Sequence, residues 1–204
     1  MRPALIVIAK APEPGRSKTR LSPPLSLERA ARLAEAALAD TLACAASAHA
    51  GRRVLALDGE PGGWLPRGFE VIPQRGEGLD QRLASAFEDV GEPALLVGMD
   101  TPQLRPALLH RALARVAHSD AVMGPAVDGG YWAIGLHESR RELFAGVPMS
   151  TSRTFAAQLE RLEDHGLSVG LLPPLRDVDL IDDAWAVAAM APWSRFAQEL
   201  GAAA

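Results

Sequence analysis

A single cysteine, Cys44, stands in the 204-residue chain. It has no partner for an internal disulfide, which suits a reducing compartment, and the expected location is cytoplasmic. A basic excess is also lacking: the formal net charge is -4. Proteins that hold duplex nucleic acid do so through surplus Lys and Arg, so no nucleic-acid partner is expected. No apolar stretch approaches the roughly 20 residues of a membrane-spanning helix, and no membrane partner is expected either. The apolar run near the start, Leu5 to Ala9, is cut off by Lys10 and has no small-residue cleavage site, so it does not read as a secretory signal. No Gly-x-Gly-x-x-Gly follows that run, which argues against a Rossmann-type dehydrogenase, and no Gly-Lys-Thr stands at Walker spacing. Internal repeats are missing, as is low complexity beyond an alanine bias.

What is present is a chain of one-domain length, 1–204, with 48% hydrophobic residues, enough for a sizeable core. Leu5 to Ala9 is rich in branched residues with both faces apolar, as in a strand buried inside a parallel sheet. A proline-rich loop over 10–25 follows, and Ser26 then caps a helix running to about Ala48. Further strands are predicted at 53–57, 71–72, 94–98, 121–124, 131–136 and 168–172. Helices are predicted over 79–90, 105–118, 154–165, 182–190 and 192–200. Strands alternate with helices nearly throughout, so the fold class is α/β with a mainly parallel sheet.

Ligands of open α/β sheets collect beyond the carboxyl ends of the strands, and four polar clusters sit there. The first, Ala9 to Leu21, holds four cations (Lys10, Arg16, Lys18 and Arg20) against one acid, Glu13. Pro12 and Pro14 limit the loop's freedom, and Gly15 allows close backbone approach. Phosphates need positive charge and donors held in place in advance, which makes this a phosphate-binding candidate. If the segment is extended, Lys18 and Arg20 share a side. The second cluster places Asp100 just past a strand, where a carboxylate suits a hard cation that bridges phosphates. Helix capping ahead of Leu104 is its alternative role. The third, Asp128-Gly129-Gly130-Tyr131-Trp132, reads as a hairpin whose aromatics either cover a substrate or join the core. The fourth is acidic: Asp177 and Asp179 alternate across Val178, so an extended backbone puts both on one face, where paired carboxylates invite a metal ion. Asp179 or Asp182 is expected to cap the next helix. Cations on the first loop and carboxylates on the later ones suggest phosphates held by Lys and Arg, with Mg2+ (or Mn2+) bridging them to Asp.

Four ordered segments carry a resemblance: Ala9-Lys-Ala-Pro-Glu-Pro-Gly-Arg-Ser-Lys-Thr-Arg-Leu21, Gly98-Met-Asp-Thr-Pro-Gln-Leu104, Gly124-Pro-Ala-Val-Asp-Gly-Gly-Tyr-Trp132 and Asp177-Val-Asp179. Together they resemble the DUF2064 family, also called radical-SAM/selenodomain-associated transferase 1, some of whose members are labelled arsenosugar-biosynthesis glycosyltransferases. The resemblance spans Leu5 to about Ala188. It implies a GT-A-like, nucleotide-diphospho-sugar transferase fold, a three-layer α/β/α sandwich, with distant likeness to molybdenum-cofactor and phospholactate guanylyltransferases. Carried onto this sequence, it implies phosphate binding by Lys18 and Arg20, with Lys10, Gly15 and Arg16 in the same loop and Arg82 near the nucleotide. It implies metal binding by Asp100 with Asp177 or Asp179, catalytic roles for Lys18, Asp100 and Asp128, and an acceptor pocket at Gly129, Gly130, Tyr131, Ser150 and Thr151. Met149 stands where the family commonly has tryptophan, which alters that pocket. The partners expected are a nucleoside triphosphate or nucleotide sugar and a small-molecule acceptor. The dense basic loop slightly favours nucleotidyl transfer, the family labels favour glycosyl transfer, and a non-catalytic nucleotide-binding domain is the rival from another class. Base preference, acceptor and oligomeric state, a homodimer included, stay open at the level of sequence.

Overall fold

The computed structural model describes residues 2–202. Seven strands form one sheet in the order β3-β2-β1-β4-β6-β5-β7. In chain order these are β1 Ala4–Lys10, β2 Arg53–Asp58, β3 Glu70–Pro73, β4 Ala94–Gly98, β5 Ala121–Pro125, β6 Tyr131–Leu136 and β7 Val169–Leu171. The helices are α1 Leu27–Ser47, α2 Leu79–Val90, α3 Pro106–Val116, α4 Thr154–Asp164, α5 Ile181–Met190 and α6 Arg195–Gly201. The α/β class and the mainly parallel sheet agree with the sequence. β6 alone runs against its neighbours, inserted between β4 and β5. Its turn from β5 is too short to carry a crossover, so an antiparallel pairing is forced.

β1 shows why the sheet is buried on both sides. Leu5, Val7 and Ala9 join the core under α1 and α3, while Ala4 and Ile6 join the core under α2 and α4. α1 is apolar on two faces. Ala34, Leu38 and Leu42 pack on the sheet, while Ala30, Leu33 and Ala37 meet Ala184, Val187, Phe196 and Leu200 of α5 and α6. Those two helices therefore form an extra layer behind α1. Ser26 caps α1 as its sequence position implies, its hydroxyl accepting from Arg29 N. α6 begins later than the expected 192, at Arg195. Ser194 Oγ accepts from Ala197 N at 2.9 Å, and the Asp40 carboxylate accepts from Phe196 N at 2.9 Å. Among the described residues no helix is long and apolar enough to cross a membrane.

The order of the first four strands matters for function. β1 pairs with β2 on one side and β4 on the other, both parallel, so the chain's winding reverses at β1. Loops leaving the carboxyl ends of β1 and β4 diverge there and leave a crevice.

Candidate functional site

The loop after β1 is a compact structure anchored to the sheet. Ala11 N donates to Asp58 O at 2.8 Å, and the buried Ser17 hydroxyl donates to Ala11 O at 2.8 Å. Arg16 N and Ser17 N both donate to Glu13 O, closing a tight turn in which Gly15 takes a φ of 77°. The condition of an extended course over 18–20 is not met. Lys18 is left-handed, with φ 51° and ψ 36°, and Thr19–Leu21 forms a 3-10 turn. The buried Leu21 sets this course, because the turn sends its side chain into the core shared with α1 and α5. A left-handed lysine is strained backbone, and such strain concentrates where a side chain must be aimed. The other non-glycine residue of positive φ among those described is Ser150, at 58°.

Lys18 and Ser150 both line a cleft of about 860 Å³ at the crevice. Lys10, Arg16, Lys18 and Arg20 enter it from the β1 loop, and Arg82 from α2. Asp100 enters from the β4 loop, Asp128, Gly130 and Tyr131 from the β5–β6 hairpin, Ser150 and Thr151 from the approach to α4, and Asp177 and Asp179 from the approach to α5. Of the residues singled out from sequence, only Gly15 and Gly129 stay off its wall. Gly129 has a φ of 92°, and a Cβ there would lie 2.2 Å from Ser152 O. Its absent side chain lets the hairpin press against the segment before α4, where Phe155 N donates to Gly129 O at 2.8 Å.

Opposite charges from distant stretches of chain meet in the cleft. Lys18 Nζ donates to Val178 O and lies 2.9 Å from Asp100 Oδ1. The second contact is an ion pair without hydrogen-bond direction, so among the described residues the buried Asp100 Oδ1 accepts no hydrogen bond. The neighbouring Thr101 Oγ1 is also buried without a partner among the described residues. Arg20 pairs with Asp179. Asp177 holds a carboxyl pushed up to about 6, first because burial disfavours its charge and next because Asp128 repels it; Lys18 opposes this and Asp100 adds to it. These influences put Asp128, Asp100 and Asp177 within one electrostatic neighbourhood. Burial also pushes the Tyr131 phenol well above its ordinary range.

Capping does not account for Asp100, because α3 starts at Pro106 with Arg105 at the capping position. At α5 the cap expected of Asp179 or Asp182 comes from Asp183, whose Oδ2 accepts from Leu180 N at 3.0 Å while Arg176 holds its other oxygen at 2.8 Å. The helix starts one residue early, at Ile181, which moves the capping position along.

Several residues in or beside the cleft carried no clear mark in the sequence. Gln74 donates from Nε2 to Ala9 O at 2.8 Å and to Ala56 O at 3.0 Å, tying the ends of β1 and β2 together. Arg82 Nη1 donates to Asp58 Oδ2 at 3.0 Å, and Asp58 also faces Arg16 at 3.6 Å. Only the position of Asp58 at a strand's carboxyl end could have pointed to it. Ser152, also on the wall, lies one residue beyond the expected Ser150-Thr151 pair.

The raised carboxyl of Asp177 makes a prediction for the ligand-free protein. A carboxyl at about 6 in the fold and near 3.8 unfolded binds more protons folded than unfolded between those values. Stability therefore falls as pH rises through that window, and the cost is fully present above about 6. Asp177→Asn is expected to unfold at a higher temperature than the native chain at pH 7.5, with the advantage gone by pH 4. Melting curves in EDTA across that range test this, and an advantage independent of pH would contradict it.

No protein of curated function matches the sequence. Among solved structures, a candidate nucleotide-diphospho-sugar transferase from Desulfovibrio desulfuricans G20 superposes with a TM-score of 0.81 at 26% identity, over 96% of this chain and 97% of that one. The 2-C-methyl-D-erythritol 4-phosphate cytidylyltransferase of Thermus thermophilus gives 0.60 at 17% identity, over 94% and 100%. Rv0371c of Mycobacterium tuberculosis H37Rv, in complex with manganese, gives 0.55 at 20% identity, over 92% and 97%. The fold is thus that of the nucleotide-diphospho-sugar transferases, GT-A-like as expected. Residues 30–151 match the family described as "Uncharacterized protein conserved in bacteria (DUF2064)", and with more than half its length inside that match the chain belongs to the DUF2064 family.

Proposed function

We propose that the protein is a divalent-cation-dependent transferase that takes a nucleoside triphosphate or nucleotide sugar and passes a nucleotidyl or glycosyl group to a small acceptor. The observation that carries this is the meeting of Lys18 with Asp100, and of Arg20 with Asp179, inside one cleft at the point where the sheet's winding reverses. The activities named for the Desulfovibrio and Thermus neighbours support a nucleotide donor.

The donor set fits a hard cation. Asp100 Oδ1 is buried and free of hydrogen bonds among the described residues, and Asp177 lies close enough to feel its charge. No group of three His, Cys, Asp or Glu side chains gathers around one point among the described residues. Mg2+ commonly takes one or two carboxylates and fills its shell with substrate phosphates and water, so Asp100 with Asp177 suffices. Asp179, paired with Arg20, flanks them. The ion, Mg2+ or Mn2+, would neutralise charge on the donor phosphates and the leaving group.

The chain's own residues do the rest by positioning and charge. Lys18 and Arg20 exchange their carboxylate partners for phosphate oxygens, with Arg16 and Arg82 on the β2 side and Lys10 at the rim. Asp128 is the candidate to take a proton from an acceptor hydroxyl. Its Oδ1 accepts from Gly130 N at 2.8 Å, which orients the group on the cleft wall.

A thermal-shift screen of nucleoside triphosphates and nucleotide sugars, with and without Mg2+, tests this reading. Stabilisation that needs both nucleotide and cation is expected, near 2.7 kcal/mol at a hundredfold excess over Kd. A larger shift with GTP or CTP points to nucleotidyl transfer, and one with UDP-sugars to glycosyl transfer. The reading fails if no nucleotide shifts the melting point in the presence of the cation.

A further inference from the structure

We infer that the acceptor is an uncharged, hydroxyl-bearing molecule and that the cleft turns phosphorylated acceptors away. This rests on the transferase reading above and concerns the half of the cleft that reading leaves to the acceptor.

The sheet order divides the wall by charge. Every cation on it comes from the β1 loop or from α2 beyond β1 and β2: Lys10, Arg16, Lys18, Arg20 and Arg82. On the other side of β4 lie β6 and β5, and the wall there is built from the hairpin and from 149–154. Its polar and charged members are Asp128, Tyr131, Ser150, Thr151, Ser152 and Thr154, and none is a cation. Arg153, in the middle of that segment, does not reach the wall. An anionic acceptor seated there would face Asp128 with no cationic side chain beside it. Like charges set together in a partly desolvated site are an effective means of exclusion.

What the wall does offer suits a neutral polyol. The Ser150 and Ser152 hydroxyls have no hydrogen-bond partner among the described residues, and the left-handed backbone at Ser150 holds that residue in the cleft. Thr154 Oγ1, by contrast, is committed to Pro148 O at 2.7 Å. Tyr131, Trp132, Ala133 and Met149 supply an apolar floor, with Tyr131 OH 3.9 Å from the Met149 sulfur. A cationic acceptor is the poorer fit. Asp177 is engaged with Asp100 in holding the divalent ion, and Asp128 is needed as proton acceptor. On the side built from the hairpin and 149–154, no carboxylate besides Asp128 lines the wall to pair with a substrate charge.

The step balances simply. The acceptor hydroxyl oxygen forms a bond to the α-phosphorus or to the anomeric carbon of the donor. The bond to pyrophosphate or to the nucleoside diphosphate breaks, its electron pair leaving on the phosphate oxygen, and the hydroxyl proton passes to Asp128.

The test uses the full chain loaded with Mg2+ and the nucleotide that stabilises it most. If no nucleotide stabilises it, the transferase reading itself has failed, and that is seen before any acceptor is added. The loaded protein is then titrated by calorimetry with matched pairs, glycerol against glycerol 3-phosphate and methyl glucoside against glucose 6-phosphate. Donor consumption is followed in parallel by phosphorus NMR. The neutral member of at least one pair is expected to bind or turn over at least tenfold better than its phosphorylated counterpart. In Ser152→Arg, which puts a cation on this wall, the phosphorylated member should gain tenfold or more. Equal or better use of the phosphorylated members by the native chain overturns the inference. So does binding of neither member of either pair, or a preference for an amine such as ethanolamine over glycerol.

Discussion

Asp100→Ala is expected to abolish turnover while the chain still folds. Asp100 lies just past β4 at the crevice, and its buried Oδ1 has the Lys18 ammonium at 2.9 Å but no hydrogen bond among the described residues. A carboxylate oxygen withdrawn from water and left without a donor costs stability unless a cation compensates it. The ligand-free fold gives it Lys18. The working site is expected to give it a divalent ion and free Lys18 for phosphate. Removing the carboxylate takes away the larger of these two interactions, and losing one such preorganised charge lowers kcat on the order of 10³-fold. The fold has no comparable stake in this residue, because Asp100 caps no helix and its backbone carbonyl, which accepts from Val178 N at 3.0 Å, survives the change. Asp100→Asn, which keeps the shape and loses the charge, should be as inactive as alanine. Measured rates within tenfold of the native enzyme, for a variant with an unchanged circular dichroism spectrum, would remove Asp100 from the mechanism.

The same region shows what the sequence could and could not disclose. Local features were legible. The branched run of β1, the cap at Ser26 and the Asp-Gly-Gly turn are set by residues within a few positions of one another, and the structure agrees with each. The gathering of charge at strand ends was also legible, because parallel strands must deliver their carboxyl-end loops to one rim. The partners within that rim were not. Nothing near Gln74 announces that its amide will bridge Ala9 O and Ala56 O, and nothing near Asp58 announces Arg82. Those pairings depend on β3 lying beside β2, a long-range fact. The course at Lys18 was not legible for a related reason. Its left-handed turn is imposed by burial of Leu21 against α1 and α5, residues far along the chain. The cap of α5 shifted to Asp183 because four acids within seven positions leave the choice to Arg176, which fixes Asp183 from the far side.

Lys18→Ala is expected to weaken nucleotide binding by about tenfold or more with a smaller loss of kcat. The Lys18 side chain is one-tenth exposed, and its ammonium is already held between Val178 O and Asp100. A charge held in place before its ligand arrives gives up little freedom on binding, so the exchange of Asp100 for phosphate keeps most of its worth. A charge-assisted hydrogen bond contributes about 1.5–3 kcal/mol, and each 1.4 kcal/mol is a factor of ten in affinity. Alanine also leaves the backbone at φ 51° with a Cβ, so the local turn keeps its strain and loses the contact to Val178 O that offsets it. Lys18→Gly separates the two effects, since glycine accepts the left-handed conformation without cost. Both variants should lose the same affinity, while the glycine variant should hold the loop with less strain and melt no lower than the alanine one. Calorimetry with the preferred nucleotide and Mg2+ decides the matter. Affinity unchanged in both variants would mean that the β1 loop does not hold the phosphates, and affinity lost only in alanine would mean that backbone shape, and not the ammonium, is what the nucleotide requires.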